Sequence, residues 1–192
     1  MQHAAQENLP RCYLITGDAP SANEWWSRFD GLIAQPDPMI QLRLRPAVRN
    51  DNDTRVREAL VRCRASGARL LVNAAPTLAL GLGADGVHLD SRTLMSLDRR
   101  PLDGEGLVGA SCHDEVELRQ AAAIGADFAC LSPLHPTPSH PGRPALGYQR
   151  FEELARDCAI PVYALGGVGR NDLQAVRAAG GYGVAGISAF WG

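Results

Sequence analysis

The chain has 192 residues, 45% of them hydrophobic and 21% charged, an ordinary globular composition that excludes disordered, collagen-like and coiled-coil chains. Nineteen Lys and Arg stand against 21 Asp and Glu, a net charge of -2. No broad basic surface is therefore expected for nucleic acid, and any phosphate chemistry has to come from a local site.

The first apolar run, 12–16, reads as a strand, and Ser21 with Glu24 three residues later is a capping-box pattern that opens the first helix. A second strand is expected at 39–44. After it, Val56, Ala59, Leu60 and Cys63 recur at i, i+3, i+4 and i+7, one face of a helix. Strands follow at 69–73, 86–90 and 107–112, then a helix capped by Asp114 with Glu117, then a strand at 128–134. Phe151, Leu154, Ala155 and Cys158 repeat the helical stripe, a seventh strand is expected at 161–166, Asn171 with Gln174 reads as a cap, and an eighth strand spans 183–189. Gly67, Gly83, Gly125 and Gly180 each follow a helical segment, where a left-handed cap favours glycine.

Several of these strands are almost wholly apolar, as suits strands covered on both faces of a parallel sheet. The segment Gly83-Ala-Asp-Gly-Val-His-Leu89 recurs 42 residues later (125 minus 83) as Gly125-Ala-Asp-Phe-Ala-Cys-Leu131, and more loosely as Gly180-Gly-Tyr-Gly-Val-Ala-Gly186. Eight strands alternating with helices, and a repeat as long as two strand–helix units, predict a (β/α)8 TIM barrel as one domain over residues 1–192. An open doubly wound sheet uses the same local signals. The chain stops two residues after Phe190, so the eighth helix is expected to be missing or vestigial, with the apolar wall beside strand eight left for Trp191, the N-terminal segment or a second subunit to cover. Trp25 and Trp26 lie in the helix beside that gap.

The five cysteines, Cys12, Cys63, Cys112, Cys130 and Cys158, are dispersed and form no CxxC pair, so they read as buried thiols of a cytoplasmic protein. Residues 1–11 have no basic region followed by an apolar core, and no run is long and apolar enough for a membrane span.

A barrel of this kind places its site at the C-terminal strand ends. Strand seven ends in Gly166-Gly167-Val-Gly169 and strand eight runs through Gly186-Ile187-Ser188, where paired glycines let backbone N–H groups approach an anion. Relief of crowding at the rim is the alternative reading of the same glycines. Gln41, Arg43 and Arg45 alternate on one face of strand two. A proline-stiffened loop, 132–142, supplies His135, Thr137, Ser139 and His140. Asn73, His88, Ser111 and His113 fall at or near the ends of strands three to five, where they form the floor of a polar pocket or serve as hydrogen-bonded core residues. No spacing typical of a metal site occurs.

In order along the chain, Gln41-Leu-Arg43, Asn73, Gly83 to Leu89, Gly109-Ala-Ser-Cys-His113, Leu131-Ser-Pro-Leu-His-Pro-Thr137, Gly166-Gly167 and Gly183-Val-Ala-Gly-Ile-Ser188 resemble the thiamine phosphate synthase/TenI family of barrels, over residues 12–190. The synthases join hydroxymethylpyrimidine diphosphate to thiazole phosphate: the diphosphate leaves with Mg2+ help, and the thiazole nitrogen traps the pyrimidine cation. The resemblance implies that Gln41, Arg43 and Arg45 face the diphosphate, with Arg45 standing where the family has lysine. Asn73 and Ser111 border the pyrimidine and diphosphate. Thr137 holds phosphate oxygens, and Gly166, Gly167, Ile187 and Ser188 surround the thiazole phosphate. Arg43, Arg45, Ser111 and His140 are the candidate catalytic residues, and His113 joins the substrate-binding set.

The departures are as informative. Ala74 stands where the synthases carry a metal-binding Asp after the Asn, and Arg92 and Thr93 stand where a second acid is expected. No metal set is assigned. Asp90 is the one acid considered as a ligand, and Mg2+ is expected only if synthase activity is retained. The TenI branch includes metal-free thiazole tautomerases, but its catalytic histidine aligns with Pro133. The chain also resembles barrel domains fused to Nudix hydrolases. The expected function is therefore a thiamine biosynthesis protein that binds phosphate esters. The synthase, a tautomerase and a non-catalytic binding module are the alternatives, and the partner expected is a homodimer copy or a Nudix-type domain.

Overall fold

In the computed structural model, which describes residues 9–43, 52–104, 106–137, 142 and 144–192, each apolar run pairs with the next and the last returns to the first. The strands are β1 (Cys12–Ile15), β2 (Met39–Arg43), β3 (Arg69–Asn73), β4 (Gly86–Leu89), β5 (Leu107–Cys112), β6 (Phe128–Leu131), β7 (Val162–Leu165) and β8 (Gly183–Gly186). All neighbours are parallel, and β8 pairs β1 through Cys12↔Val184 and Leu14↔Gly186, which closes the barrel. The helices are α1 (Ala22–Ile33), α2 (Asn52–Ser66), α3 (Pro76–Leu82), α4 (Ser91–Met95), α5 (Glu115–Ala123), α6 (Gly147–Ala155), α7 (Leu173–Ala178) and the single turn α8 (Ser188–Trp191). Among the described residues no helix is long and apolar enough to cross a membrane.

Strand periodicity divides the apolar side chains into two cores. Leu14, Ile40, Leu70, Val72, Val87, Val108 and Val184 point outward and pack under the helices, meeting Phe29, Leu60, Leu118 and Phe151. Tyr13, Met39, Leu71, Phe128, Cys130, Tyr163 and Ala185 fill the barrel interior. Gly109 opens space there: a Cβ on it would lie 2.5 Å from Phe128 Cζ and 2.9 Å from His88 Nδ1.

The caps follow local chemistry. Ser21 accepts the Glu24 N–H at 3.2 Å and Asp114 accepts the Glu117 N–H at 3.0 Å. Gly67, Gly83, Gly125 and Gly180 all take positive φ, between 70° and 79°. The repeated Gly-Ala-Asp is a structural device. After each glycine turn, the aspartate reaches back to an earlier strand: Asp85 takes the Leu70 N–H at 2.8 Å and Asp127 the Val108 N–H at 2.7 Å. Arg100 pairs with buried Asp127 at 2.7 Å. In the third copy Tyr182 replaces the acid and keeps only the backbone bond, from its N–H to Val162 O at 2.7 Å.

Three local expectations are corrected. The strand expected at 128–134 ends at Leu131, because Pro133 has no N–H to continue the ladder. Asn171 does not cap the seventh helix. A 3-10 turn, Arg170–Asp172, starts earlier, and the Asp172 carboxylate accepts the Gly169 N–H at 2.8 Å. The tail of the strand expected at 183–189 is helical, with the Trp191 N–H bonded to Ile187 O at 2.8 Å. That turn brings Trp191 back over the wall beside β8. Trp191 is 4% exposed and its ring centroid lies 5.2 Å from that of Trp25. The wall expected to lie open is covered from within the chain.

Candidate functional site

A cavity of about 180 Å3 opens at the C-terminal ends of the strands. One side is polar and cationic: Gln41 and Arg43 from β2, Asn73 from β3, Ser111 from β5 and Thr137 from the loop after β6. The other side is Gly166, Gly167 and Val168 after β7 with Gly186, Ile187 and Ser188 after β8, and Ile15 and Leu165 complete the lining.

Each side chain reaches the cavity through its strand register. Gln41 and Arg43 are two apart and share the inner face of β2, where Arg43 is paired in register with Asn73. Thr16 secures the end of β2: its N–H donates to Gln41 O at 3.0 Å, and its hydroxyl accepts the Arg43 N–H at 2.9 Å. The loop after β6 is sewn onto the end of β7, with Leu134 N–H to Leu165 O at 2.8 Å and His135 N–H to Gly166 O at 3.0 Å. Gly166 and Gly167 have φ of 100° and 68°. A Cβ on Gly166 would lie 2.9 Å from Pro133 Cα, and one on Gly167 2.9 Å from His135 Cβ, so both glycines also let the two loops pack together. No backbone hydrogen bond among the described residues uses the N–H of Gly167 or Ser188.

His88 lies below Ser111 and is fully buried. Its Nε2 is 2.9 Å from Ser111 Oγ and its Nδ1 is 3.2 Å from the Tyr13 hydroxyl. Burial lowers its pKa from 6.5 to about 3, against a weaker raising pull from Asp90. The folded pKa lies below the unfolded one, so between pH 6.5 and about 3 the unfolded chain binds one more proton at this site. His88 is expected to make stability fall by about 1.4 kcal/mol per pH unit as pH drops through that window, and to contribute no slope above it. Urea denaturation from pH 4 to 7 measures this. His88→Gln should flatten the acid limb, and an unchanged slope would contradict it.

Several expected residues lie elsewhere. His113 is off the cavity wall, with its Nδ1 2.8 Å from Glu117 Oε2. His135 packs edge-on against Tyr148, with ring centroids 5.5 Å apart. Arg45, Ser139 and His140 fall outside the described residues. Burial pushes the thiols of Cys112 and Cys130 up, which removes them as nucleophiles. Sequence reasoning missed Tyr13 and Thr16. The inward phase of β1 was the available signal for Tyr13, and Thr16 had none, since its role lies in a bond to a strand 27 residues away.

The family described as thiamine monophosphate synthase matches residues 12–190. The chain belongs to that family. It is 31% identical over 182 residues to a putative thiamine-phosphate synthase 2 of Aquifex aeolicus, covering 95% of this chain and 98% of that protein. It is 36% identical over 174 residues to the thiamine-phosphate synthase of Gloeobacter violaceus, covering 88% of this chain but only 49% of the longer relative. Thiamine phosphate pyrophosphorylase from Pyrococcus furiosus shares the fold, with a TM-score of 0.74 at 23% identity over 95% of this chain and 87% of that one.

The described residues do not fit the Mg2+ that the family resemblance implies. A hard dication needs several oxygen ligands in strict geometry, carboxylates foremost. Ala74 follows Asn73, and among the described residues no carboxylate lines the cavity. Asp90 is exposed and caps α4 instead, with its Oδ1 accepting the Thr93 N–H at 2.7 Å. Among the described residues no group of three or more His, Cys, Asp or Glu could hold a metal.

Proposed function

We propose that this barrel binds phosphate esters of thiamine biosynthesis in the cavity at its strand C-termini. A thiazole phosphate would lie with its phosphate against Gly167 and Ser188, and a diphosphate ester would lie toward Gln41, Arg43 and Asn73. The observation that carries this reading is the meeting of two anion-suited ends in one cavity: a cationic, amide-rich end on β2 and β3, and a glycine end on β7 and β8. Arg43 would supply charge, Ser111 and Thr137 hydroxyl donors, and the glycine end backbone N–H groups. The five free thiols suit a cytoplasmic location.

Calorimetry with thiazole phosphate, with and without Mg2+, tests the reading. Binding is expected in both conditions, because the backbone N–H groups of the glycine end need no metal to accept an anion. Binding only with Mg2+, or none, overturns it. Crystals grown in sulfate or phosphate should likewise show an anion on the N–H groups of Gly167 and Ser188. Side chains filling that position would count against it.

A second reading, a binding module without turnover, is favoured by Ala74 standing where the family resemblance implies a metal-binding acid, with no carboxylate among the described residues of the cavity wall. The tautomerase reading has less support: Pro133 holds the position of that branch's histidine, and His135 faces Tyr148. A homodimer copy or a Nudix-type partner is not needed to cover the wall beside β8, where Trp191 is buried.

A further inference from the structure

We propose that Tyr13 and His88 are positioning residues that turn the Ser111 hydroxyl into an obligate hydrogen-bond donor toward the cavity. The ligand class rests on the function proposed above, but the relay itself does not. Three side chains from β1, β4 and β5 form one line, with Tyr13 Oη 3.2 Å from His88 Nδ1 and His88 Nε2 2.9 Å from Ser111 Oγ. Tyr13 and His88 are 0% and 1% exposed, while Ser111 is part-buried and lines the cavity.

The direction of the line follows from its buried end. Burial keeps His88 neutral, so its ring carries a single N–H, on one nitrogen or the other. Burial likewise keeps the Tyr13 phenol protonated. Among the described residues the Tyr13 hydroxyl hydrogen-bonds only His88. Its proton has one acceptor, His88 Nδ1. The opposite arrangement, with the proton on Nδ1, would leave a phenolic donor buried without a partner, which folded proteins avoid. Nδ1 therefore accepts, Nε2 carries the proton and donates to Ser111 Oγ, and the Ser111 proton is left to point at the cavity. Gly109 makes the line possible, since a Cβ there would lie 2.9 Å from His88 Nδ1. A hydroxyl held this way favours a ligand that presents an acceptor, such as a diphosphate oxygen, over one that presents a donor.

Two measurements test this. Nitrogen-15 NMR of the histidine rings in the ligand-free protein should show His88 neutral and protonated on Nε2. The Nδ1-protonated form or a charged ring at pH 7 overturns the proposal, whatever the ligand. Calorimetric titration with inorganic diphosphate then reads the consequence. Ser111→Ala should weaken binding about tenfold or more, as for loss of a hydrogen bond to a charged group. Tyr13→Phe frees His88 to change tautomer and should weaken binding several-fold while the protein stays folded. In a Ser111→Ala background, Tyr13→Phe should cost nothing further. Equal losses in both backgrounds would show that Tyr13 only supports the fold, and would overturn the relay. Failure of the wild-type protein to bind diphosphate would sink the function proposed above, and the NMR result would still decide the relay.

Discussion

Replacing Trp191 with alanine is expected to lower stability by about 3–5 kcal/mol, the usual cost of removing a buried aromatic ring from a packed site. For a chain of this size that is a drop in melting temperature on the order of 10 °C. The size of the effect comes from what Trp191 covers. In a (β/α)8 barrel each strand's outer face is covered by helices, and α8 is a single turn of four residues. Trp191 does the covering instead. Its ring meets Trp25, which stacks on Phe29 at 5.2 Å, and its Nε1–H donates to Asp18 O at 2.8 Å. Gly17 is the counterpart: a Cβ there would lie 2.7 Å from Trp191 Cδ1, so Gly17→Ala should displace the ring and cost about 1–3 kcal/mol. Trp191→Phe keeps a phenyl in place of the larger indole and loses the hydrogen bond, so its cost should fall below that of Trp191→Ala, at about 1–3 kcal/mol. Thermal and urea unfolding at two protein concentrations measure all three. A melting temperature that is indifferent to Trp191→Ala but rises with concentration would mean that another copy covers the wall.

Condensation of hydroxymethylpyrimidine diphosphate with thiazole phosphate is expected to be slow or absent, on the order of 10²-fold or more below a metal-equipped synthase. That is the scale on which losing one electrostatic contributor to a transition state is felt. The cause lies in the donor set: Ala74 has only a methyl group, and Asp90 is engaged as the cap of α4. The Arg43 charge can partly neutralise a departing diphosphate, but it is spread over a planar group on a flexible stem, unlike a compact dication. Asp90→Ala should accordingly leave any residual turnover unchanged, and cost about 1 kcal/mol of stability through the lost cap. Ala74→Asp, which restores one of the acids the family resemblance implies, should raise Mg2+-dependent turnover. Initial rates of the wild-type protein and the two variants, across a Mg2+ series, decide the matter. Fast Mg2+-dependent turnover in the wild type that Asp90→Ala abolishes would show that Asp90 leaves its cap to bind metal. Fast turnover insensitive to Asp90→Ala would refute the metal argument.

The properties that follow from neighbours in the chain were determined by the sequence itself. Strand phase and helix stripe depend on which positions are apolar, and the stripe of Val56, Ala59, Leu60 and Cys63 is buried throughout. Caps depend on residues three apart, as at Ser21 and Asp114. The count and order of the strands pointed to a barrel, but an open sheet shares those signals, and the pairing of β8 with β1 decided closure. Strand ends and the loops after them carry Gln41, Arg43, Asn73, Ser111, Thr137, Gly166, Gly167, Ile187 and Ser188, which line one cavity. The tertiary structure decided whatever depends on a partner far along the chain. His88 meets Tyr13 across 75 residues and Ser111 across 23, and no local pattern states which of its nitrogens each would face. His113 turned to Glu117 and His135 to Tyr148, although both lay at strand ends where a site residue was expected. Trp191 read as one of three covers for an open wall, and only the turn at Ile187 made it the one used. The physical reason is the same in each case. Dihedral preference and amphipathic period act over a few residues, whereas the state of a buried polar group and the filling of a gap are set by all the neighbours that exclude water from it.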